Sequence, residues 1–427
     1  MTPATAQASI ITIGDELLIG QTIDTNSAFI AQELNRIGIW VRKRVAVGDV
    51  AADIRQALDD EGPASDIILI TGGLGPTADD ITKPLLCNYF GGKLVRNEAV
   101  LEHIKYLFEQ VFRRPGPLLD RNVRQADVPD VCEVLTNEWG TAPGMMFRKR
   151  RADGKEVLYF SLPGVPHEMK GLMKEAVLPR LLKELTLPAI LHRTAFTAGL
   201  GESVLAEMLK DYEPTLPPHI KLAYLPSYGM VKLRLTARGT SAGELERELL
   251  PLFDTLKALV KDHLVAGEDV GLETVVGRLL QEQGKTLGTA ESCTGGYIAH
   301  LLTSIPGSSR HFMGSVIAYD NRVKQEILEV PSTILQTHGA VSEETVRAMA
   351  AGARRVLATD YIIAVSGIMG PDGGTSDKPV GTVWVAVGDA DRIETRELRF
   401  RFDRQRNITL TALHALNLLR RFILTRS

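Results

Sequence analysis

The sequence predicts an α/β protein: two three-layer α/β domains joined by a small α+β module. Three observations predict it. Short, mostly apolar runs at residues 8–13, 66–71 and 361–366 are separated by amphipathic stretches of helix length, the pattern of a mostly parallel sheet. Glycine- and acid-rich segments follow the runs, where ligands of such sheets sit. A chain of 427 residues is long enough for two to four domains.

The elements follow in order. Ala8-Ser-Ile-Ile-Thr-Ile13 reads as a buried strand, and residues 26–37 as a helix with Phe29, Ile30, Leu34 and Ile37 on its apolar side. Residues 40–47 read as a strand, 50–58 as a helix and 66–71 as a second buried strand. Val157-Leu-Tyr-Phe-Ser-Leu162 is a further apolar run, stopped by the stiff turn Pro163-Gly-Val-Pro166 with Glu168 close by. These elements make a first domain over residues 1–171.

Residues 172–262 differ. A helical stretch over 173–185 precedes an extended run at 193–198, the glycine turn Gly199-Leu-Gly201 and a helix over 202–209. Residues 220–224 and 230–237 form a hairpin around Pro226-Ser-Tyr-Gly229, closed by a helix over 242–260. Pro251 argues against that helix as one piece. The module has no catalytic cluster, so its expected role is structural or dimer-forming. Residues 262–269 read as a linker. The third unit, 263–427, has a helix from Gly271, strands at 314–319, 361–366 and 381–387, and a closing helix over 409–425.

Composition excludes several classes. A net charge of −3 gives no electrostatic case for bulk nucleic-acid binding. Three scattered cysteines, Cys87, Cys132 and Cys293, are too few for a disulfide framework or a zinc knuckle. No apolar run reaches the roughly 18 residues of a membrane span. The start, Met-Thr-Pro-Ala-Thr-Ala-Gln7, lacks the basic and apolar regions of a signal peptide. A reduced, soluble, cytoplasmic protein is expected.

The richest chemistry lies at Thr289-Ala-Glu-Ser-Cys-Thr-Gly-Gly296, between a short strand and the helix-like Tyr297-Ile-Ala-His-Leu-Leu302. Backbone N–H groups converge at such a turn, which suits a nucleophile and an oxyanion. The competing reading is that Ser292 or Thr294 only caps the helix. Ser292 needs a base. His300 is two helical turns on and faces elsewhere, and His338 sits in a turn. Lys324, in Ala318-Tyr-Asp-Asn-Arg-Val-Lys324, is the better candidate if it is partly desolvated near a second cation. Tyr319 could relay a proton. By composition alone Lys324 is a solvated helix lysine. Ser366-Gly-Ile-Met-Gly-Pro-Asp-Gly-Gly374 and Lys378-Pro-Val-Gly-Thr382 can complete a pocket, and Arg404 and Arg406 can bind a phosphate or be a plain surface pair. Cys293 is the intrinsically stronger nucleophile beside Ser292.

In the first domain, Gly72-Gly-Leu-Gly-Pro-Thr-Ala-Asp-Asp80 has the composition of a phosphate cradle without Walker or G-x-G-x-x-G spacing. Asp79 and Asp80 suit a divalent cation bridging phosphate oxygens, or else cap the helix that follows. Asp15 and Glu16 can add carboxylates to the same rim.

Gly14-Asp-Glu-Leu-Leu-x-Gly20, Asp24-Thr-Asn-Ser27, Thr71 to Asp80, Gly140-Thr-Ala-Pro-Gly144 and Leu162-Pro-Gly-Val-Pro166 resemble, in order, the N-terminal domain of the CinA family, which is similar to the MoaB/MogA molybdopterin-binding fold. The resemblance implies an ADP-ribose pyrophosphatase requiring a divalent metal ion (Mg, Mn or Co). It makes Asp15, Asn26, Gly73, Gly75 and Thr77 substrate-binding candidates and Asp79 and Asp80 metal ligands. Thr289 to Gly296, Gly307-Ser-Ser309, Tyr319-x-Asn-x-x-Lys324, His338-Gly-Ala-Val-Ser342, Ser366 to Gly374 and Lys378-Pro-Val-Gly-Thr-Val-Trp384 resemble the PncC-type nicotinamide-nucleotide amidohydrolase that forms the C-terminal part of CinA proteins. That resemblance implies hydrolysis of nicotinamide mononucleotide to nicotinate mononucleotide and ammonia without a cofactor. Ser292 would be nucleophile, Lys324 base and Tyr319 an assisting hydroxyl. Cys293, Thr294, Gly295, Gly296, Ser366, Gly367 and the phosphate contact Arg406 would bind substrate. Met369 stands where the family has a smaller residue. The resemblance, with the middle module's lack of chemistry, also implies a homodimer with small-molecule nucleotides as partners, and the composition above gives no case for a membrane or for direct nucleic-acid binding. Two rivals stand beside it: an N-terminal domain that binds a pterin or nucleotide without catalysis, and a competence- or damage-associated accessory that works through partners.

Overall fold

The computed structural model describes residues 6–77, 79–113, 116–227 and 229–425. Residues 1–5 of the expected leaderless start, Ala78 of the glycine-rich loop and Tyr228 of the hairpin tip lie outside them. The chain divides into two compact units. The first runs to Leu191 and takes in Ala237–Glu248, and the second holds His192–Thr236 and Leu249 onward.

The first unit opens with β1 (Gln7–Ile13), α1 (Asp15–Leu18), α2 (Thr25–Arg36), β2 (Trp40–Val47), α3 (Ala51–Glu61), β3 (Ile67–Thr71) and α4 (Thr82–Tyr89). A side lobe follows: β4 (Leu94–Arg96), α5 (Glu98–Tyr106), α6 (Asp120–Val123) and β5 (Asp127–Pro129), with β4 and β5 paired as a separate antiparallel ribbon. Next come β6 (Glu133–Leu135), β7 (Gly144–Arg150), β8 (Glu156–Leu162), α7 (Pro166–Leu172) and α8 (Leu178–Glu184).

The main sheet has the order β2-β1-β3-β8-β7-β6. Its first four strands are parallel and its last two antiparallel. Both faces are covered, which is why every residue of β1 after Gln7 and every residue of β3 is buried, with apolar side chains on both faces rather than at alternate positions. Ala8, Ile10 and Leu69 face α2 and α7, whereas Ile11, Ile13, Ile68 and Ile70 face α3 and α4. The register Thr12↔Thr71 ends β1 and β3 at the same edge, so the Gly14 and Gly72 loops emerge side by side.

Two features depart from the expected boundaries. A π-helical turn, Met173–Val177, joins α7 to α8, so helix runs continuously across position 171. Met169, Met173, Val177 and Leu181 of this run pack into the first unit's core, and burial of that stripe outweighs any break in the sequence pattern. In addition, α10 (defined below) passes through Pro251 unbroken.

The middle module comprises β9 (Ala189–Ala198), α9 (Glu202–Met208), β10 (Ile220–Ser227), β11 (Met230–Gly239), α10 (Ala242–Leu259) and β12 (Leu264–Ala266), with strand order β10-β11-β9-β12. β12 lies where a linker was expected. It adds to the sheet edge by pairing antiparallel with β9.

The rest of the second unit comprises α11 (Leu272–Gln283), β13 (Leu287–Glu291), α12 (Tyr297–Thr303), β14 (Phe312–Ile317), α13 (Asn321–Glu326), α14 (Ser332–His338), α15 (Glu343–Leu357), β15 (Tyr361–Gly367), β16 (Thr382–Gly388), β17 (Ile393–Arg399) and α16 (Arg404–Leu424). The sheet order is β14-β13-β15-β16-β17, parallel across the first three strands and antiparallel beyond. α15 covers one face through Val346, Met349, Ala350 and Ala353. α11, α12 and α16 cover the other, in a core that also takes in Phe196, Met230 and Val265 of the module. α16 starts five residues before the expected position, because Asp403 caps it by accepting the Arg406 N–H at 3.0 Å. That capping places Arg404 and Arg406 inside the helix.

Candidate functional sites

In the second unit, β13 ends at Glu291 and the chain turns through Ser292 to Gly296 into α12. Gly295 and Gly296 have φ of +59° and +98°, left-handed values that side-chain-bearing residues rarely adopt, so the turn requires this pair. A pocket of about 200 Å³ opens here, lined by Ser292, Cys293, Tyr319, Lys324, Ser366, Gly367 and Arg404, among others. Sequence positions spread over more than a hundred residues thus converge, because β13, β14 and β15 are adjacent and parallel and end together.

Lys324 is 1% exposed, with Nζ donating to the carbonyls of Ala318 at 2.8 Å and Tyr319 at 3.2 Å. Burial pushes its pKa below the ordinary lysine value, against the opposing pull of Asp320 and Cys293. The expected second cation is not the cause; desolvation is. Burial also pushes the Cys293 thiol up to about 12, so near neutral pH it is not a thiolate. Tyr319 is 62% exposed, and its hydroxyl accepts from Arg404 Nη2 at 3.0 Å. Arg404 Nη1 donates to the Gly370 carbonyl at 2.9 Å.

The remaining positions sort by what they touch. Ser366 lines the pocket and donates to the Ala340 carbonyl at 2.7 Å, and Gly367 lines it through backbone. Thr294 turns away, its hydroxyl donating to Glu291 Oε2 at 2.7 Å. The Gly295 N–H is taken by the Ser292 carbonyl at 3.2 Å, and the Gly296 N–H by Glu291 at 3.1 Å. Of the turn's amides, those two are spent and cannot hold an oxyanion. The guanidinium on the pocket wall belongs to Arg404, whereas that of Arg406 lies 3.9 Å over the Phe402 ring.

Sequence reasoning missed Glu291. It is fully buried, and its carboxylate accepts the N–H groups of Gly296, Ile298 (3.0 Å) and Ala299 (2.8 Å) and the Thr294 hydroxyl. It therefore caps α12 from the end of the preceding strand and fixes the turn that presents Ser292. The signal was legible: a carboxylate one residue before the nucleophile and just ahead of a helix start. The signal for Arg404 was the Asp403 cap.

In the first unit, the glycine-rich loop is closed by its own acid. Asp80 accepts the backbone N–H groups of Gly75 at 2.8 Å and Thr77 at 2.9 Å, and the Thr77 hydroxyl as well. Those donors are committed to Asp80 rather than open to a phosphate, and Asp80 spends much of its acceptor capacity on closing the loop. Gly73, at φ +64°, is held by close packing, since a Cβ there would stand 2.2 Å from the Thr82 hydroxyl. Asp79 is exposed, and a hydrogen bond with the Thr77 side chain lowers its pKa. Asp15 and Asp49 cross-link, each backbone N–H donating to the other's carboxylate at 3.1–3.2 Å. Burial raises the Asp49 pKa, and the like charges of Asp15, Glu16 and Asp79 raise it further. Asn26 Nδ2 bridges Thr71 and the Gly164 carbonyl (2.7 Å), while its Oδ1 is buried without a partner beside a pocket of about 110 Å³.

Among the described residues no three His, Cys, Asp or Glu side chains stand ready to hold a metal. Mg²⁺-type sites commonly use only one or two carboxylates and complete the shell with substrate phosphates. Asp79 and Asp15, both exposed, suit that pattern, with Asp80 engaged in closing the loop. No helix among the described residues is long and apolar enough to cross a membrane.

Three family descriptions match in order along the chain: a probable molybdopterin binding domain at residues 9–183, a damage-inducible protein CinA KH domain at 192–266, and a CinA C-terminal domain at 269–423. A CinA-like protein of Cytophaga hutchinsonii is 48% identical over 414 residues, 97% of each chain. One of Flavobacterium psychrophilum is 42% identical over 419 residues, 98% of this chain and 99% of that one. The crystal structure of a competence/damage inducible protein from Agrobacterium tumefaciens is 37% identical, covers 35% of this chain and 91% of its own, and has a TM-score of 0.34. With near full-length identity of this order and all three domain descriptions in sequence, the chain belongs to the CinA family.

Proposed function

We propose that the C-terminal domain hydrolyses the carboxamide of nicotinamide mononucleotide to nicotinate mononucleotide and ammonia. The observation that carries this reading is one pocket holding Ser292 with a buried, pKa-lowered Lys324, next to a cysteine held as the thiol. Neutral Lys324 takes the Ser292 proton, and Oγ attacks the amide carbon. The oxyanion is held by the turn amides that remain, Cys293 and Thr294. The lysine ammonium returns its proton to the departing nitrogen, ammonia leaves, and water attacking the ester carbon releases the acid and frees Ser292. The small pocket takes the nicotinamide ring, and the ribose phosphate lies outward toward Arg404 and Tyr319. The test is ammonia release from nicotinamide mononucleotide without added metal. Release by wild type and not by Ser292→Ala supports the reading. No release by folded wild type overturns it.

A second reading concerns the N-terminal domain. We infer that it hydrolyses ADP-ribose to AMP and ribose 5-phosphate with a divalent ion. The crowding of Asp15, Glu16, Asp49 and Asp79 at one rim supports it. A bound ion would polarise the phosphates. Asp79 and Asp15 would hold it, Asp80 keeps the loop closed, and the Asn26 Oδ1 accepts from a ligand hydroxyl. Hydrolysis that vanishes with EDTA and returns with Mg²⁺, Mn²⁺ or Co²⁺ supports this reading. Binding of ADP-ribose without turnover would instead favour a non-catalytic nucleotide-binding module. A homodimer is part of the proposal, and sedimentation equilibrium against the 46.7 kDa chain mass tests it.

A further inference from the structure

The second unit contains another cavity, larger than the Ser292 pocket and away from it. It measures about 460 Å³ and lies between the middle module and the end of α16, with every lining residue inside the second unit. That volume falls in the range of small-molecule sites.

Its walls are strongly unequal in charge. Lys261, Arg396, Arg420 and Arg421 line it against one carboxylate, Asp262, and His263 and His414 stand among them. Among the described residues none of these four cations has a carboxylate partner. Arg420 is 8% exposed and donates only to neutral oxygens, the Leu264 carbonyl at 3.2 Å and Asn417 Oδ1 at 3.0 Å. A nearly buried guanidinium without a counter-ion is costly. Part of that cost is offset where Arg420 and Arg421 meet the negative end of the α16 dipole, but Arg396 on β17 and Lys261 gain nothing from it.

Like charges crowd one another here. Arg421 bears on Arg420 and Arg396 on His414, in each case after burial, lowering both pKa values. The opposite wall is made by two glycine turns of the module. Gly199 (φ +91°) approaches His263 and Gly229 (φ +76°) approaches His414, leaving room where side chains would fill it.

We propose that this cavity is a binding site for a small phosphorylated molecule of nucleoside-monophosphate size. Guanidinium forks match phosphate oxygens, and an anion would neutralise the crowded cations. The cavity is distinct from the amide-hydrolysis pocket and needs no metal.

The probe is AMP, added to the full-length protein with EDTA present. The readouts are isothermal titration and hydrogen–deuterium exchange. The expected result is protection of residues 196–200, 229–231 and 413–424, together with binding weakened at least tenfold in the double variant Arg396→Glu/Arg421→Glu. Both of those side chains are exposed, so the variant is expected to fold, and unchanged ammonia release confirms that it has. Arg420→Gln, which keeps a donor, should weaken binding less. AMP binding with no protection there, or equal binding by the double variant, overturns the proposal. Protection by short single-stranded RNA but not by AMP overturns it in favour of nucleic acid.

Discussion

Lys324 Nζ donates to the Ala318 carbonyl at 2.8 Å, tying α13 back to the residue that follows β14 and leaving the amine almost wholly out of water. As the base it must be neutral. Activity should therefore rise with pH and level off as the ammonium loses its proton, with the inflection below the ordinary lysine value of 10.5. Lys324→Met should cost about 10²- to 10⁴-fold in kcat. A flat pH profile, or a Lys324→Met variant with near-normal kcat, would reassign the base.

Cys293→Ala should retain most activity while Ser292→Ala falls to background. The thiol pushed up to about 12 is unreactive at neutral pH, so Cys293 should also resist iodoacetamide in the folded protein. Rapid alkylation that abolishes ammonia release would make the thiol the nucleophile.

Glu291→Ala removes the acceptor of three backbone N–H groups at a buried helix start. The expected loss is roughly 2–4 kcal/mol by urea denaturation of the second unit, with kcat falling as the turn loosens. Glu291→Gln keeps the shape but points an amide donor at other donors, and should lie between. Stability unchanged in both variants would mean that the cap is dispensable.

Asp79 and Asp80 should separate cleanly. Asp79→Asn should leave the melting temperature unchanged and suppress metal-dependent ADP-ribose hydrolysis. Asp80→Ala should destabilise by about 1–3 kcal/mol by freeing the Gly75 and Thr77 amides. EDTA should stop this hydrolysis while ammonia release continues. The opposite pattern for the two acids would restore Asp80 as the metal ligand.

Lys83 on α4 donates to the carbonyls of Gln125 at 3.0 Å and Arg124 at 3.3 Å, and burial brings its pKa from 10.5 to about 8, against the pull of Asp127 and Asp80. Below pH 8 it is charged in both folded and unfolded chains, and its desolvation weakens the fold. Between about pH 8 and 10.5 the unfolded chain holds more protons, so stability from this site rises with pH. The unfolding free energy of wild type minus that of Lys83→Met should rise across this window, by at most ~3 kcal/mol. A constant difference would place Lys83 in water.

Much of this was legible in sequence where one local rule sufficed. The apolar runs at β1, β3 and β15 could only be strands covered on both faces, and Ser292 before a double glycine marked the turn. What was not legible depended on distant partners. That Asp80 rather than a ligand fills the glycine loop follows from the chain curling back on itself. That Arg404 rather than Arg406 reaches the pocket depends on the phase of α16, which Asp403 sets. β12, at three residues, carries no periodicity and exists only because β9 offers an edge. Pro251 was a misleading signal: α10 buries an amphipathic face, and that burial outweighs one lost hydrogen bond.

α16 contributes Arg404 to one cavity at its first turn and Arg420 and Arg421 to the other near its last. Its 21 residues contain no glycine or proline, so the rod of about 30 Å has no hinge along it. The helix links the two cavities, and a deamidase KM that changes as AMP is titrated would show that it couples them. A KM indifferent to saturating AMP would leave α16 as a strut.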